Sequence, residues 1–127
     1  MNRELIPQME PMVERLRSWV GALVRVSEEV TRLAGNYDRH FATSTVLVFR
    51  LRHVGVALSG GALGLLGDLA GFPFQYEATV EMLDSMAIGQ REIVLVERFG
   101  ATTERRSTIA LIDVQTAEGT STEVISQ

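Results

Sequence analysis

The sequence predicts a one-domain α+β protein in which N-terminal helices pack against a sheet, in the order α-α-β-α-β-β-β-β. Three observations lead to this fold class. Apolar residues recur at helical spacing through the first 36 residues, residues 74–82 alternate apolar and polar side chains, and residues 93–96 are four apolar residues in succession. A strand that is apolar on both faces is covered on both. We therefore expect helices on one face of the sheet and a second subunit, in a homodimer, on the other.

Size and composition bound the class of protein. The 127 residues suffice for one domain with its own core, and 46% apolar with 22% charged residues is an ordinary globular mixture. Without cysteine there is no disulfide, thiolate metal site or cysteine nucleophile, and without lysine there is no Schiff base. The net charge of -4 argues against nucleic acid as a partner. No ligand spacing indicates a metal, and we expect no cofactor.

Targeting signals do not stand out in the sequence. The first residues lack a basic flank followed by an apolar run, so no secretory signal is predicted. Residues 54–74 are long and apolar enough to span a bilayer, but they contain several glycines and Asp68. We expect a cytoplasmic protein without a membrane span.

Two helices are predicted at the start of the chain. Pro11 suits the first turn of a helix, and the residues after it that share one helical stripe are Met12, Val13, Leu16, Trp19, Val20, Leu23 and Val24. Ser27 is typical of an N-cap, with acidic residues in the turn that follows it. A second, short helix is therefore expected from Ser27 to a stop at Gly35-Asn36.

The remaining elements are mostly strands. Residues 43–58 are rich in β-branched side chains and predict one long strand or a hairpin, and residues 62–70 have the spacing of a glycine-containing helix. Residues 74–82 predict a strand with its even-numbered side chains in the core. After a loop at 84–90, further strands are expected at 92–99, 107–115 and 122–126, with turns at 100–104 and 118–120.

Three fragments resemble the cone-shaped α+β superfamily of nuclear transport factor 2, ketosteroid isomerases, limonene epoxide hydrolases and small polyketide cyclases. Residues 19–38 are similar to the first two helices of the isomerases, and residues 93–99 to a hydrolase strand that supplies an arginine and an acid. Residues 112–114, shortly before Gly119, resemble the isomerase strand with the oxyanion-hole aspartate. The resemblance implies a curved sheet wrapped around helices, an enclosed pocket and a dimer.

The catalytic residues of these families carry over only in part. Arg98 matches the hydrolase arginine, but its partner acid falls on Gly100. Asp113 matches the isomerase acid, whereas Trp19 replaces the tyrosine beside it and the general base falls near Thr45. An indole N–H donates a hydrogen bond but does not release a proton at a useful pH. Neither family's machinery is complete, which counts against both named reactions.

Asp113 and Arg98 are the candidate catalytic residues. Burial of Asp113 in its apolar run would favour a neutral, hydrogen-bond-donating acid, and the alternative is a strand acid paired with an arginine or facing solvent. Arg98 shares a strand face with Val94 and Val96, which we expect to line the pocket. An arginine there needs an acid or an anionic ligand. The alternative is a salt bridge at the rim with Asp68, Asp113 or Glu77.

Four further residues are candidates for contact with a ligand. Trp19 and Tyr76 are expected in the pocket wall or the core. Asp68 interrupts the glycine-containing helix and faces either the cavity mouth or solvent. Tyr37 belongs to a polar cluster at the predicted exit of the second helix, where a surface role is the alternative.

The function expected from these features is the binding of a hydrophobic small molecule that carries an oxygen group. If the protein is an enzyme, the chemistry is cofactor-free acid/base isomerisation, cyclisation or epoxide opening. Asp113 would donate to a developing oxyanion, and Arg98 would hold a neighbouring acid or the substrate oxygen. The alternatives are a non-catalytic dimerisation or interaction module and a structural subunit of a larger assembly, because a fold does not fix a function.

Overall fold

A computed structural model describes residues 2–33, 40–57 and 61–113 of the chain. A 3-10 turn at Arg3–Leu5 leads into one α-helix, α1 (Ile6–Arg17), and a second 3-10 turn at Val80–Met82 joins the fourth and fifth strands. The strands are β1 (Leu23–Leu33), β2 (His40–Ala57), β3 (Ala62–Leu69), β4 (Phe72–Thr79), β5 (Leu83–Ile88), β6 (Glu92–Phe99) and β7 (Thr103–Asp113).

All seven strands belong to one antiparallel sheet in the order β4-β3-β2-β1-β7-β6-β5. β1 lies at the centre and pairs with β2 on one side and β7 on the other. The edges are β4 and β5, which follow each other in the chain across one 3-10 turn. A three-residue connection between opposite edges requires the sheet to curl.

The predicted order α-α-β-α-β-β-β-β, with helices in the concave face of a cone, is wrong. The stretch expected as a second helix from Ser27 lies in β1, the stretch 62–70 expected as a helix is β3 and its turn, and the loop at 84–90 contains β5. The physical reason is pairing on both sides: in β1 and β3 every backbone group can bond to two flanking strands, and this outweighs the helical spacing of their apolar residues. In β1 the apolar side chains alternate as well, with Val24 and Val26 buried and Arg25 exposed.

Glycine in β3 serves close packing between strands. A Cβ atom at Gly67 would lie 2.2 Å from the carbonyl oxygen of Arg50 and 2.7 Å from the Phe49 ring. Only glycine fits so near a neighbouring backbone. β3 then turns into β4 through Ala70 (φ 51°) and Gly71 (φ 85°), a pair of positive φ angles typical of a type I′ hairpin.

Several predicted strands are confirmed. β2 is the single long strand expected in residues 43–58, and β6 has the bounds expected for 92–99. In β4 the even-numbered Tyr76 and Ala78 are buried while Gln75 and Glu77 are exposed, as the alternation predicts. That strand ends at Thr79, however, because residues 80–82 form the 3-10 turn. The short strand expected at 122–126 and the helix stop at Gly35-Asn36 lie outside the described residues.

The curled sheet and α1 share one apolar core. From α1 and the turn after it come Met12, Val13, Leu16 and Trp19, and from the sheet come Val24, Val26, Phe49, Leu51, Val54, Leu63, Leu65, Leu83, Ile93, Leu95 and Ile109. Tyr76 of the edge strand β4 reaches side chains of β1 and β7 across this interior. The concave face of the sheet is therefore closed around the core, and polar groups on that face meet one another.

Candidate functional site

Five polar side chains meet on the concave face of the curled sheet. They come from the central strand β1, the edge strand β4 and the strands β6 and β7, and we call them the inner polar cluster: Glu28, Tyr76, Glu97, Arg105 and Ser107. The cluster forms because strand alternation places one polar residue each of β1, β4 and β6, and two of β7, on the inner face. No buried side-chain nitrogen or oxygen among the described residues lacks a hydrogen-bond partner. Each buried polar atom of the cluster therefore has at least one hydrogen-bond partner.

Arg105 and Glu97 form the best-defined pair of the cluster. Arg105 Nε donates to Glu97 Oε1 and Arg105 Nη2 to Oε2, each at 2.7 Å, while the Glu97 side chain is 0% exposed. Both residues also hold the edge strand β4: the Thr79 N–H donates to Glu97 Oε2 at 2.7 Å, and Arg105 Nη2 donates to the Glu77 carbonyl at 2.9 Å. The pair thus links β6 and β7 to the opposite edge of the sheet.

Tyr76 is the hydrogen-bonding centre of the rest of the cluster. Its hydroxyl lies 2.9 Å from Glu28 Oε2 and 2.6 Å from Ser107 Oγ. A carboxylate only accepts, so the phenol donates to Glu28 and the serine hydroxyl donates to the phenol oxygen. Burial, and then the hydrogen bond to Glu28, raise the pKa of Tyr76 to about 12. Tyr76 is accordingly a fixed donor at neutral pH.

The guanidinium of Arg105 lies between two aromatic rings. Its Cζ is 5.7 Å from the ring centre of Tyr76 and 5.8 Å from that of Phe99, within the range of cation–π attraction. The hydrogen bonds to Glu97 raise the pKa of Arg105 above its already high ordinary value, so it remains charged. Arg105 Nη1 also reaches Glu28 Oε2 at 3.4 Å.

One end of the cluster is accessible to solvent. The side chains of Glu28 and Arg105 are 22% and 21% exposed, whereas Glu97 is fully enclosed. Two carboxylates share one guanidinium, which leaves the cluster with an excess negative charge. The partly buried Phe99 ring lies against Arg105 here, and the partly buried Leu47 packs against the core on the neighbouring strand β2. The arrangement can receive a polar group of a molecule whose remainder is apolar.

The two residues predicted to be catalytic are not seen to join this cluster. Arg98 lies on the outer face of β6 with its side chain 58% exposed, 3.3 Å from Asp84 and 3.4 Å from Glu104. Asp113 ends β7, where its backbone pairs with Leu23, and its side chain lies outside the described part of the chain.

The prediction that the Val94, Val96 and Arg98 face of β6 points inward is wrong. Ile93 and Leu95 face the core and are fully buried, so Val94, Val96 and Arg98 take the outer face. Because sides alternate along a strand, the acid on the inner face is Glu97. The signal in the sequence for this site is the position of Glu97, which shares a strand face with the apolar Ile93 and Leu95.

The four residues predicted to contact a ligand lie apart from one another. Tyr76 is the centre of the inner polar cluster. Trp19 is buried in the core next to the end of α1. Asp68 sits on the outer face of β3, where it accepts a 2.7 Å bond from Arg52. Tyr37 lies outside the described residues.

Sequence reasoning missed four members of the cluster. Ser27-Glu28 was interpreted as a helix start, and so the inward position of Glu28 in β1 was hidden. Arg105 falls between the turn expected at 100–104 and the strand expected at 107–115, and Ser107 gives no signal beyond strand alternation. Only the pairing of Glu28 with Ser107 in the β1–β7 register brings those two together.

Other features of the described residues bear on the range of possible sites. No three histidine, aspartate or glutamate side chains converge there in a metal-like arrangement, and no helix there is long and apolar enough to cross a membrane. A shallow open groove of about 270 Å³ lies on the outer face of β2, β3 and β4, with Gly55 and Gly64 at its floor. It is separate from the inner polar cluster.

Comparison of the chain with protein-family models, with curated proteins and with solved structures gave no match.

Proposed function

We propose that this protein binds a hydrophobic small molecule and that the hydroxyl group of this molecule lies between Glu28 and Arg105. The observation that carries the proposal is the exposure of these two side chains at the end of an otherwise enclosed cluster. A concave apolar site with a few convergent polar groups is the usual form of a small-molecule site.

The hydrogen-bonding capacity of the two residues favours a hydroxyl. Arg105 has five N–H donors, and its bonds to Glu97, Glu28 and the Glu77 carbonyl use four of them. The remaining donor is on Nη1, beside Glu28. Glu28 accepts one bond from Tyr76 and one from Arg105, which leaves lone pairs on its carboxylate. A hydroxyl both donates and accepts, and so matches a carboxylate placed next to an N–H.

Acid/base chemistry at this site would follow from the same binding geometry. A carboxylate in contact with a substrate hydroxyl has the placement of a general base. Tyr76, with a pKa of about 12, is suited to orienting Glu28 and not to releasing a proton. Any acid/base chemistry would therefore run through Glu28, with Arg105 stabilising negative charge on the substrate oxygen.

Matched probes test the hydroxyl. A panel of terpenoid and aromatic alcohols is compared with their methyl ethers, which cannot donate, by the ligand-induced rise in the unfolding temperature and by calorimetry. We expect alcohols to bind and ethers to bind at least about tenfold more weakly, since a hydrogen bond to a charged group contributes about 1.5–3 kcal/mol. Equal binding of alcohols and ethers would refute the role of the hydroxyl.

Matched variants test the site. Glu28→Gln keeps the shape of the side chain but removes its charge, and we expect it to weaken alcohol binding by at least about tenfold. Glu29→Gln is the control, because Glu29 is the next residue of β1 and is exposed on the outer face. An alcohol that binds both variants as it binds the unaltered protein binds elsewhere, and the proposed site is then wrong.

A further inference from the structure

The long strand β2 pairs with different neighbours along its two halves. Residues 40–50 pair with β1 on one edge, and residues 50–57 pair with β3 on the other, so that the two strand registers overlap at Arg50. Within the described ranges, no strand pairs with the second edge of β2 before Arg50. Along residues 42–48, then, β2 has no second partner strand among the described residues, and we call this stretch the β2 edge.

The backbone groups that face the β2 edge follow from the bonds of Leu51. Its N–H donates to the Ala22 carbonyl and its C=O accepts from the Gly21 N–H, both on the β1 side. Successive residues of a strand direct their backbone groups to opposite sides. The backbone N–H and C=O groups directed at the β2 edge therefore belong to Ala42, Ser44, Val46 and Val48.

The β2 edge lacks the features that normally block strand pairing. Exposed edges are usually protected by charged residues, proline or bulges. Residues 42–48 contain no charge and no proline, and their pairing with β1 is regular. Val46, at the middle, is 61% exposed. A neutral strand of the same length and alternation would fit there without unpaired charge.

The β3–β4 hairpin sets the end of the β2 edge. Asp68 pairs with Arg50, and β3 turns one residue later, so an incoming strand can pair up to Val48 and no further. Phe72, at the tip of this hairpin, is 72% exposed. An incoming strand that reached Val48 would approach Phe72 and cover part of that apolar surface.

We propose that the occupant of the β2 edge is the same edge of a second copy of this chain. Antiparallel pairing of a segment with itself is an isologous contact about a two-fold axis. With the axis at Thr45, Ser44 faces the partner's Val46 and Ala42 faces the partner's Val48. This register uses all four outward-directed residues of each copy and keeps clear of Arg50, which is already paired with Asp68. It also brings two threonines together, a favourable cross-strand pair.

The interface lies beside the proposed ligand site, because Thr45 pairs with Glu28 in the β1–β2 register. It differs from a dimer formed through the sheet face. Side chains of Val46 and Val48 lie on the outer face, where both are exposed. In the edge-paired dimer Val46 lies opposite the partner's Ser44 and Val48 lies opposite the partner's Ala42, and the two curled sheets join into one. The exposed outer-face residues of β1, β6 and β7, such as Arg25, Arg98 and Arg106, take no part in this contact.

Sedimentation of the full chain tests the proposal. We expect a species of twice the 14.0 kDa chain mass, and Val46→Pro should weaken its association by about one to two orders of magnitude. Proline removes the Val46 N–H, which faces the edge, and leaves the bonds to β1 in place. Val46→Lys is the second variant, because it places two like charges near the two-fold axis without altering the backbone. Thr108→Lys, on the outer face of β7, is the control that should remain dimeric.

Amide exchange and the sedimentation of the three variants distinguish the edge-paired dimer from other arrangements. Amide exchange that is slow at Ser44, Val46 and Val48 in the dimer and fast in Val46→Lys supports the proposal. A protein that sediments at 14.0 kDa at all concentrations overturns it, as does a dimer that survives both Val46 variants. A dimer lost in Thr108→Lys but kept in Val46→Lys would place the interface on the sheet face and also overturn it. Slow amide exchange at these residues in a monomer would show that the chain covers its own edge, and it would also overturn the proposal.

Discussion

Arg105 and Glu97 are directly opposite each other on β7 and β6, and both of their 2.7 Å bonds are made on the concave side of the sheet. Both side chains also bond to the backbone of β4, at the far edge of the sheet, and Arg105 Nη1 reaches Glu28 at 3.4 Å. This cross-strand pair thereby connects the neighbouring strands β6 and β7 to β4, which is next to neither of them in the sheet. The contact is stabilising because the bidentate geometry and the extra backbone bonds offset the desolvation of Glu97.

Replacing Glu97 by glutamine should destabilise the protein markedly. The substitution leaves the Arg105 charge partly buried with Glu28, at 3.4 Å, as its remaining carboxylate partner, and we expect a loss of about 3 kcal/mol in the free energy of unfolding. Urea denaturation measures it. The control is Asp84→Asn, which breaks the exposed pair with Arg98 and should change the stability by less than about 1 kcal/mol. Similar effects of the two substitutions would show that the inner pair does not hold the curled sheet.

Replacing Tyr76 by phenylalanine should remove two hydrogen bonds and keep the ring. We expect a loss of about 1–2 kcal/mol at neutral pH, because Ser107 and Glu28 each lose a partner on the inner face. Urea denaturation of the two proteins at pH 7 gives the difference. An unchanged stability would mean that water replaces the phenol at no loss.

Tyr76 should also make the stability depend on pH in the alkaline range. Its pKa is about 12 in the folded protein and 10.0 ordinarily, so the folded state binds the proton more tightly than the unfolded state. The resulting stabilisation is complete below pH 10 and is lost as the pH rises towards 12. Unfolding midpoints measured across this window should fall more steeply for the unaltered protein than for Tyr76→Phe. Parallel curves for the two proteins would contradict the raised pKa.

The glycines of β3 should differ sharply in their tolerance of alanine. A Cβ at Gly67 would lie 2.2 Å from the Arg50 carbonyl oxygen, whereas at Gly64 the nearest atom is 3.7 Å away. We expect Gly67→Ala to lower the free energy of unfolding by at least about 2 kcal/mol and Gly64→Ala to leave it unchanged or slightly raised. Urea denaturation of both variants tests the β2–β3 spacing. Equal tolerance at the two positions would contradict the close approach.

The β3–β4 turn should be stabilised by asparagine at position 70. Ala70 has a φ of 51°, which is unfavourable for a residue with a Cβ, and it precedes Gly71 with a φ of 85°. Asn-Gly is the preferred pair for this type of turn, and we expect Ala70→Asn to add about 0.5–1 kcal/mol. The shift in the thermal unfolding midpoint measures it, with Ala101→Asn in the β6–β7 turn as the control. A lowered midpoint would contradict the type I′ geometry.

Local patterns predicted the strands whose signal was simple. The alternation in β4 and the β-branched residues of β2 gave the correct element because no helical spacing competed with them. In β1, Val26 and Val30 lie four residues apart, and Ser27-Glu28-Glu29 has the composition of a helix start, so two interpretations were possible. Only strands on both sides of β1 decide between them.

The candidate site was less accessible to prediction than the fold. Tyr76 was recognised as an aromatic residue of the wall or core, but its partners Glu28 and Ser107 are 48 and 31 residues away in the chain. Their meeting depends on the curl of the sheet, which no local pattern encodes. The assignment of Arg98 to the inner face depended on choosing one of two apolar faces of β6, and burial shows that Ile93 and Leu95 take the inner one.

The sequence by itself determined the strand-forming segments β2, β4, β6 and β7, the absence of cysteine and lysine chemistry, and the acidic net charge, because these depend on composition and on neighbours in the chain. The tertiary structure decided that β1 and β3 are strands, that the sheet curls, and that Glu28, Tyr76 and Arg105 meet. Backbone hydrogen bonds between strands are formed by partners distant in sequence. A segment with two acceptable local structures therefore takes the one that its neighbours in space can complete.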